Sequence, residues 1–348
     1  MNASLERRGG WMARYGRNEA REWAREHFRG VHNVIIPSYT NDLRDLNEAA
    51  IRHDVRREID LGFAGSLLVS ETNLTIDQYA RFVEIAADEA RGRLLLIHHA
   101  SFNTLEENVE AANRASAAGA KLILLSYPPS FYPLSEREIY DYSKTFCEGV
   151  DLGVMLFPVP LWGFERLHGG SISVDVLEQL VDDVGNVVAI KAEGGHPSIA
   201  GFAQVWHRLA DRVVISMPII QQAIPLASFV PLQVIATSNT EYYSSSAPTM
   251  LALAQSGKTD DALNLLWQIS PAWRANDSVA SIPAAHVVHR MAWKYQAWLA
   301  GFNGGPLPMP TNRLVLSEMR AFRRALVDAG LPVTDDPDES FFVGRNPA

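Results

Sequence analysis

The chain has 348 residues, 47% of them hydrophobic and 20% charged, enough apolar material for one large α/β domain or two ordinary ones. Its formal net charge of −9 argues against a nucleic-acid or anionic-membrane surface, since both need clustered Lys and Arg. A small-molecule partner is expected instead. The single cysteine, Cys147, excludes an internal disulfide framework and fits a reducing compartment, so a cytoplasmic location is expected.

The opening stretch "MNASLERRGGWMARYGRNEAREWAREHF" mixes Arg with Glu and has no apolar signal-peptide core. Its Arg7-Arg8 pair has no hydrophobic segment behind it. "RNEAREWAREHF" reads as a charged amphipathic helix ahead of the main fold, serving as a cap or an oligomer arm. No run approaches the roughly 18 to 20 apolar residues of a membrane span.

From residue 31 onward, short apolar, β-branched runs alternate with helical patterns, the signature of repeated βα units around a parallel sheet. Eight runs read as strands: "VHNVIIP" (31–37), "GSLLVS" (65–70), "RLLLIHH" (93–99), "KLILLS" (121–126), "LGVMLF" (152–157), "NVVAIK" (186–191), "RVVISM" (212–217) and "LQVIAT" (232–237). Eight is the count that closes a (β/α)8 barrel. Thr75/Gln78, Thr104/Glu107 and Ser135/Glu138 have the spacing of reciprocal N-terminal caps. Gly62, Gly92 and Gly119 sit where helices must stop. After the eighth run the pattern is helical only, over 246–270, 283–300 and 313–329. With no linker in between, the expected organisation is an N-terminal extension (1–29), a barrel (30–245), a helical bundle packed on it (246–331) and a tail (332–348).

"VVAIKAEGG" (187–195) ends a buried-looking strand on Lys191. A lysine there either snorkels to solvent or has a task. Catalytic groups of such barrels lie at the C-terminal ends of strands. Desolvation lowers an amine's pKa and leaves free amine to attack a carbonyl.

The order of motifs resembles the dihydrodipicolinate synthase/N-acetylneuraminate lyase family of class I aldolases. The resemblance covers roughly residues 30–331, from "GVHNVIIPSYTNDLRDLNEAAIRHDVRREIDLGFAGSLLVSET" through "GRLLLIHHASFNTLEENVEAANRASAAGAKLILLSYPP", "VDLGVMLFPVP" and "NVVAIKAEGG" to "GPLPMPTNRLVLSEMRAFRRALVDAGLP". It implies a (β/α)8 barrel with a C-terminal helical extension, a homo-oligomer, usually a tetramer, and Lys191 as the Schiff-base residue.

Departures from the family's pattern bear on the substrate. Where the family has "GTTGE" to hold a 2-oxo acid's carboxylate, this chain has Ser70, Glu71, Thr72 and Asn73. Thr72 can still donate to a carboxylate and Ser70 lies beside it, but an ionised Glu71 repels an anion. The family's proton-relaying tyrosine is Phe157 here, which transfers no proton. Glu193, two residues beyond Lys191 and on the same side of an extended chain, and Glu71 are the candidate replacements. Glu193 has a bland alternative as a loop cap or a surface partner for Arg.

Where the synthases carry an arginine for the second substrate, Trp162 stands. With Phe164 it points to an aromatic or apolar partner and away from dihydrodipicolinate synthesis. Arg166 and His168 lie further along that loop. Tyr127, Phe131 and Tyr132 enter a site or simply pack a loop. Thr237, Ser238 and Asn239 follow the eighth strand, as ligand contacts or helix caps.

His98 and His99 are neighbours on a strand, so at most one points into the barrel. His286 and His289 lack further ligands. No metal and no cofactor are expected, and there is no glycine-rich phosphate loop. The expected activity is a Schiff-base lyase of the aldolase or hydratase-aldolase type on a small carbonyl compound. An imine-dependent dehydratase and a catalytically silent metabolite-binding barrel are the alternatives.

Overall fold

The computed structural model describes residues 15–192, 198–279, 281–282 and 287–348. Eight parallel strands form one sheet: β1 (Gly30–Ile35), β2 (Gly65–Leu68), β3 (Leu95–Ala100), β4 (Leu122–Leu125), β5 (Gly153–Leu156), β6 (Val187–Lys191), β7 (Val214–Ser216) and β8 (Val234–Ala236). Each expected strand run overlaps one of them. Neighbours pair in chain order, and β1 also pairs with β8, so the sheet curls into a (β/α)8 barrel. The strands are buried on both faces, as crossover helices require; Val187, Val188, Ala189 and Ile190 are wholly inaccessible.

The seam between β7 and β8 is bridged by a side chain. The Ser216 hydroxyl accepts from the Ala236 amide at 2.8 Å and donates to the Ala236 carbonyl at 2.9 Å. These bonds satisfy the backbone groups that a missing ladder would strand in the interior.

Ahead of the barrel, helix α1 (Ala20–His27) lies across the N-terminal ends of the strands. Arg21 donates to the carbonyls of Val181, Val184 and Val187. The Tyr15 hydroxyl donates to the Lys121 carbonyl and accepts from the Gly153 amide at 2.9 Å. The apolar side of α1, with Ala20, Trp23 and Ala24, is buried, and Phe28 follows it into the core. This segment therefore caps the lower end of the barrel, one of the two roles its amphipathic pattern allowed.

The crossover helices are α2 (Glu48–Leu61), α3 (Ile76–Ala90), α4 (Leu105–Ala118), α5 (Glu136–Glu148), α6 (Val174–Asp183), α7 (Ser198–Leu209) and α8 (Ile220–Leu226). Thr75 and Gln78 form the full reciprocal cap of α3. Thr104 and Ser135 cap α4 and α5 through their hydroxyls. There the glutamates reach one residue further back, to the amides of Asn103 and Leu134, which corrects the expectation of three identical boxes. Gly62 ends α2 at φ +87°, a conformation that strains any other L-residue.

The C-terminal segment is more broken than its periodicity suggests. The helix expected over 246–270 is α9 (Ser246–Gln255) and α10 (Thr259–Gln268), interrupted where Gly257 takes φ +79°; α11 (Ser270–Val279) follows. In place of a helix from 283 there is an antiparallel pair, β9 (Ser281–Ile282) with β10 (Val287–Val288), and α12 begins only at Arg290 and ends at Leu299. Helix α13 (Leu316–Asp328) lies within its expected span. Beyond it the chain turns back, and Phe341 is fully buried against Tyr295 and Trp298. Among the described residues no helix is long and apolar enough to cross a membrane.

Candidate active site

Strand β6 delivers Lys191 to the C-terminal end of the barrel. The residue is 6% exposed, yet it lines a cavity of about 760 Å³, within the usual range for small-molecule sites. Its Nζ lies 3.6 Å from the centroid of the Phe157 ring. The π face of Phe157 thus occupies the space beside the amine and stabilises positive charge there.

His99, from the end of β3, and Ser126, just after β4, line the same cavity. His99 Nδ1 accepts from the Ser70 amide at 3.4 Å, which assigns the ring proton to Nε2, 3.0 Å from Ser126 Oγ. Burial lowers the His99 pKa to about 4; nearby Glu71 opposes the shift, whereas Arg290 and Lys191 add to it. The imidazole is therefore neutral at physiological pH. His98 faces the opposite way, edge-on to Tyr79 at 5.1 Å, and burial lowers its pKa to about 3. Only one of the pair reaches the cavity, as strand alternation requires. Among the described residues no group of three or more metal-ligating side chains clusters.

Glu71 also lines the cavity. Its Oε1 accepts from Ser101 Oγ at 2.8 Å and lies 3.8 Å from His99 Nε2, while Oε2 pairs with Arg290 at the start of α12. Burial on its own pushes a carboxyl pKa upward. The Arg290 guanidinium, with His99 and the two hydrogen bonds, outweighs it and holds Glu71 at about 2. A carboxylate kept ionised by an arginine is a poor proton donor near neutral pH, which weighs against the expected role of Glu71 as a proton shuttle. Glu193 lies outside the described residues.

The two hydroxyls expected to hold a substrate carboxylate are used elsewhere. Ser70 Oγ donates to the His99 carbonyl at 2.9 Å. Thr72 Oγ1 lies 3.1 Å from the Tyr39 hydroxyl, which donates to the Thr72 carbonyl at 2.7 Å. Both residues are buried and neither lines the cavity, so the turn after β2 presents Glu71 and not its flanking hydroxyls.

Trp162 lines the cavity edge-on to Phe157, with centroids 5.5 Å apart, and its Nε1 donates to the Phe157 carbonyl at 2.6 Å. Phe164, expected beside it, is instead 2% exposed beneath the loop against Tyr127 and Phe131. The Tyr127 hydroxyl is 2.6 Å from Ser143 Oγ, and Tyr132 lies under the Arg166 guanidinium. His168 Nδ1 accepts from the Gly170 amide at 3.0 Å. Of these loop residues, Phe164 and Tyr127 pack the interior, whereas Tyr132, Arg166 and His168 are exposed.

After β8, Thr237, Ser238 and Asn239 all line the cavity. Asn239 Nδ2 donates to Asn276 Oδ1 at 3.1 Å and to Gln296 Oε1 at 3.2 Å. Thr237 Oγ1 is buried and has no hydrogen-bond partner among the described residues. The C-terminal segment adds Asn276, Asp277, Arg290 and Trp293 to the wall, none of them expected from the sequence. His289 caps α12, accepting from the Ala292 amide at 3.2 Å, and His286 lies outside the described residues.

The dihydrodipicolinate synthetase family profile matches residues 27–272. Among characterised proteins, a 4-hydroxy-tetrahydrodipicolinate synthase of Chloroherpeton thalassium is 30% identical over 179 residues, covering 50% of this chain and 57% of the relative. An N-acetylneuraminate lyase of Clostridium perfringens is 27% identical over 160 residues, 44% of this chain and 53% of the relative. The aligned stretch thus spans little more than half of either relative's length. In fold, the chain superposes on the crystal structure of dihydrodipicolinate synthase from Aquifex aeolicus with a TM-score of 0.74 at 19% identity, covering 88% of this chain and 100% of the other. For N-acetylneuraminate lyase from Fusobacterium nucleatum the TM-score is 0.69 at 18% identity, with coverage of 86% and 98%. With the barrel, the extension and the profile match in agreement, the chain belongs to the dihydrodipicolinate synthetase family.

Proposed function

We propose that the protein is a class I lyase in which Lys191 forms an imine with a small carbonyl substrate, and a carbon–carbon bond next to that carbonyl is then made or broken. The aldolase or hydratase-aldolase manner suits an aromatic or apolar partner. The observation that carries this reading is the position of the Lys191 amine, at the end of β6, largely shielded from water and on the wall of a cavity of about 760 Å³.

The unprotonated amine attacks the carbonyl carbon, and the C=O electron pair moves to oxygen. One proton passes from nitrogen to that oxygen and a second arrives from the medium, so the oxygen leaves as water and a protonated imine remains. The iminium withdraws the electron pair of the adjacent bond. Phe157 replaces no proton donor, but its ring face favours the cationic nitrogen of this intermediate. Proton movement is assigned to the Ser126 hydroxyl, whose Oγ is held 3.0 Å from Nε2 of the neutral His99 on the cavity wall and relays protons to and from the medium.

Trp162 and Phe157 give the cavity an apolar side, in keeping with an aromatic or apolar aldehyde and not with dihydrodipicolinate synthesis. A dehydratase acting on a 2-oxo acid shares the lysine and the iminium and differs in the bond that breaks. A homo-oligomer, tetramer or dimer, in the cytoplasm belongs to the same reading and rests on the family resemblance alone.

Borohydride reduction in the presence of 2-oxo acids and aldehydes, followed by peptide mass analysis, tests the mechanism. The expected result is an adduct on Lys191, lost together with turnover in Lys191→Ala. Turnover retained in that variant refutes the mechanism, and the absence of an adduct with any carbonyl compound favours a silent binding barrel.

A further inference from the structure

We propose that Arg290 is the receptor for a carboxylate on the substrate, with Glu71 as a built-in competitor that sets its strength. This rests on the imine reading of Lys191 and adds to it the group that orients the substrate.

At the turn after β2, the Ser70 and Thr72 hydroxyls bond to protein groups behind the cavity wall, and the side chain the turn offers is an anion. The cavity nevertheless holds a guanidinium built to meet a planar anion. The Arg290 side chain is 12% exposed and lines the same cavity as Lys191. Its guanidinium carbon lies over the Trp293 ring, 4.8 Å from the centroid. Nη2 donates to Glu71 Oε2, whereas Nε is buried and has no hydrogen-bond partner among the described residues.

The part of the guanidinium that reaches the cavity offers charge-assisted donors in the planar fork that suits a carboxylate. Glu71, 32% exposed along its side chain, marks the direction from which such an anion approaches. While Glu71 is ionised, the pair is neutral overall, and an incoming carboxylate must share the arginine with it. Removing the Glu71 charge therefore strengthens anion binding, and removing Arg290 weakens it.

Three probes separate the contributions: pyruvate carries both carbonyl and carboxylate, propanal the carbonyl alone, and propanoate the carboxylate alone. Borohydride-trapped adduct on Lys191 is measured against pyruvate and propanal concentration. Propanoate binding is read by tryptophan fluorescence in Lys191→Ala protein, where no imine forms.

Glu71→Gln keeps the shape and the Ser101 hydrogen bond. It is expected to lower the half-saturating concentration of pyruvate and propanoate by about tenfold and to leave propanal unchanged. Arg290→Met is expected to raise both by about tenfold or more, again sparing propanal. A folding defect in Arg290→Met cannot produce the tightening expected of Glu71→Gln, so the two variants check each other. Unchanged or weaker pyruvate and propanoate binding in Glu71→Gln, or equal losses for propanal and pyruvate in Arg290→Met, overturns the inference. Absence of any Lys191 adduct in the unsubstituted protein overturns the imine reading instead, and the propanoate arm then still tests Arg290.

Discussion

The amine of Lys191 sits 3.6 Å above the face of Phe157, the residue standing where relatives are expected to carry a phenol. A ring that cannot exchange a proton still acts electrostatically, through the negative face of its quadrupole. Such a contact is worth about 0.5–2 kcal/mol, more when desolvated.

Phe157→Leu keeps an apolar side chain and deletes the quadrupole. The iminium population, measured as borohydride-trapped adduct at equilibrium, is expected to fall about 2- to 30-fold, the range that this energy implies. An unchanged adduct yield would show that the ring acts only as filler.

Trp162 presents an indole to the cavity where an arginine would favour anions. Trp162→Arg is expected to shift preference from apolar towards anionic aldehydes by about tenfold, since burial of an aromatic surface is worth about 1.5–3 kcal/mol. The ratio of kcat/KM for benzaldehyde and a carboxylated aldehyde, compared between the two proteins, measures it. A constant ratio would remove Trp162 from the acceptor site.

The Ser216 hydroxyl spans the β7–β8 seam with two bonds to one residue. Ser216→Ala leaves the Ala236 amide buried without this acceptor, at a cost of about 1–3 kcal/mol. Urea unfolding should show the loss as a lower midpoint with an unchanged slope. A midpoint equal to the unsubstituted protein's would mean that another group closes the seam.

Beside β1, Glu241 lies almost wholly inaccessible, and burial raises its pKa to about 8 from the ordinary 4.5. Between those two values the folded state holds a proton that the unfolded chain releases. The residue therefore lowers stability as pH rises through that window, with a slope approaching about 1.4 kcal/mol per pH unit. Glu241→Gln removes the titration. Its stability relative to the unsubstituted protein is expected to climb steadily from pH 4.5 to 8 in denaturant melts, and a pH-independent difference contradicts the buried, protonated carboxyl.

The architecture was legible because each strand's β-branched run is local information: "NVVAIK" cannot be amphipathic, so both its faces must be covered. The C-terminal segment was less legible. Apolar spacing over 246–270 satisfies a helix on either side of Gly257, and only the backbone at that glycine divides it. The stretch before Arg290 has helical periodicity too, but pairs as a hairpin because Ile282 and Val287 meet across it.

Within the site, Lys191 and Asn239 were read from strand ends, and Glu71, Phe157 and Trp162 from the family resemblance; all five line the cavity. Ser70 and Thr72 were misplaced because a hydroxyl's partner cannot be read from its neighbours in the chain. Arg290 and Trp293 were missed since they arrive from a distant helix. One signal bore on the arginine: a glutamate in a position that usually holds hydroxyls is stabilised, when ionised, by a nearby cation.

The amine proposed to react comes from β6 and the guanidinium proposed to select comes from α12, about a hundred residues apart in the chain. With roles so divided, recombination near the end of the barrel would exchange what is accepted while preserving the reaction, and a terminal segment could be swapped as readily as a point substitution made.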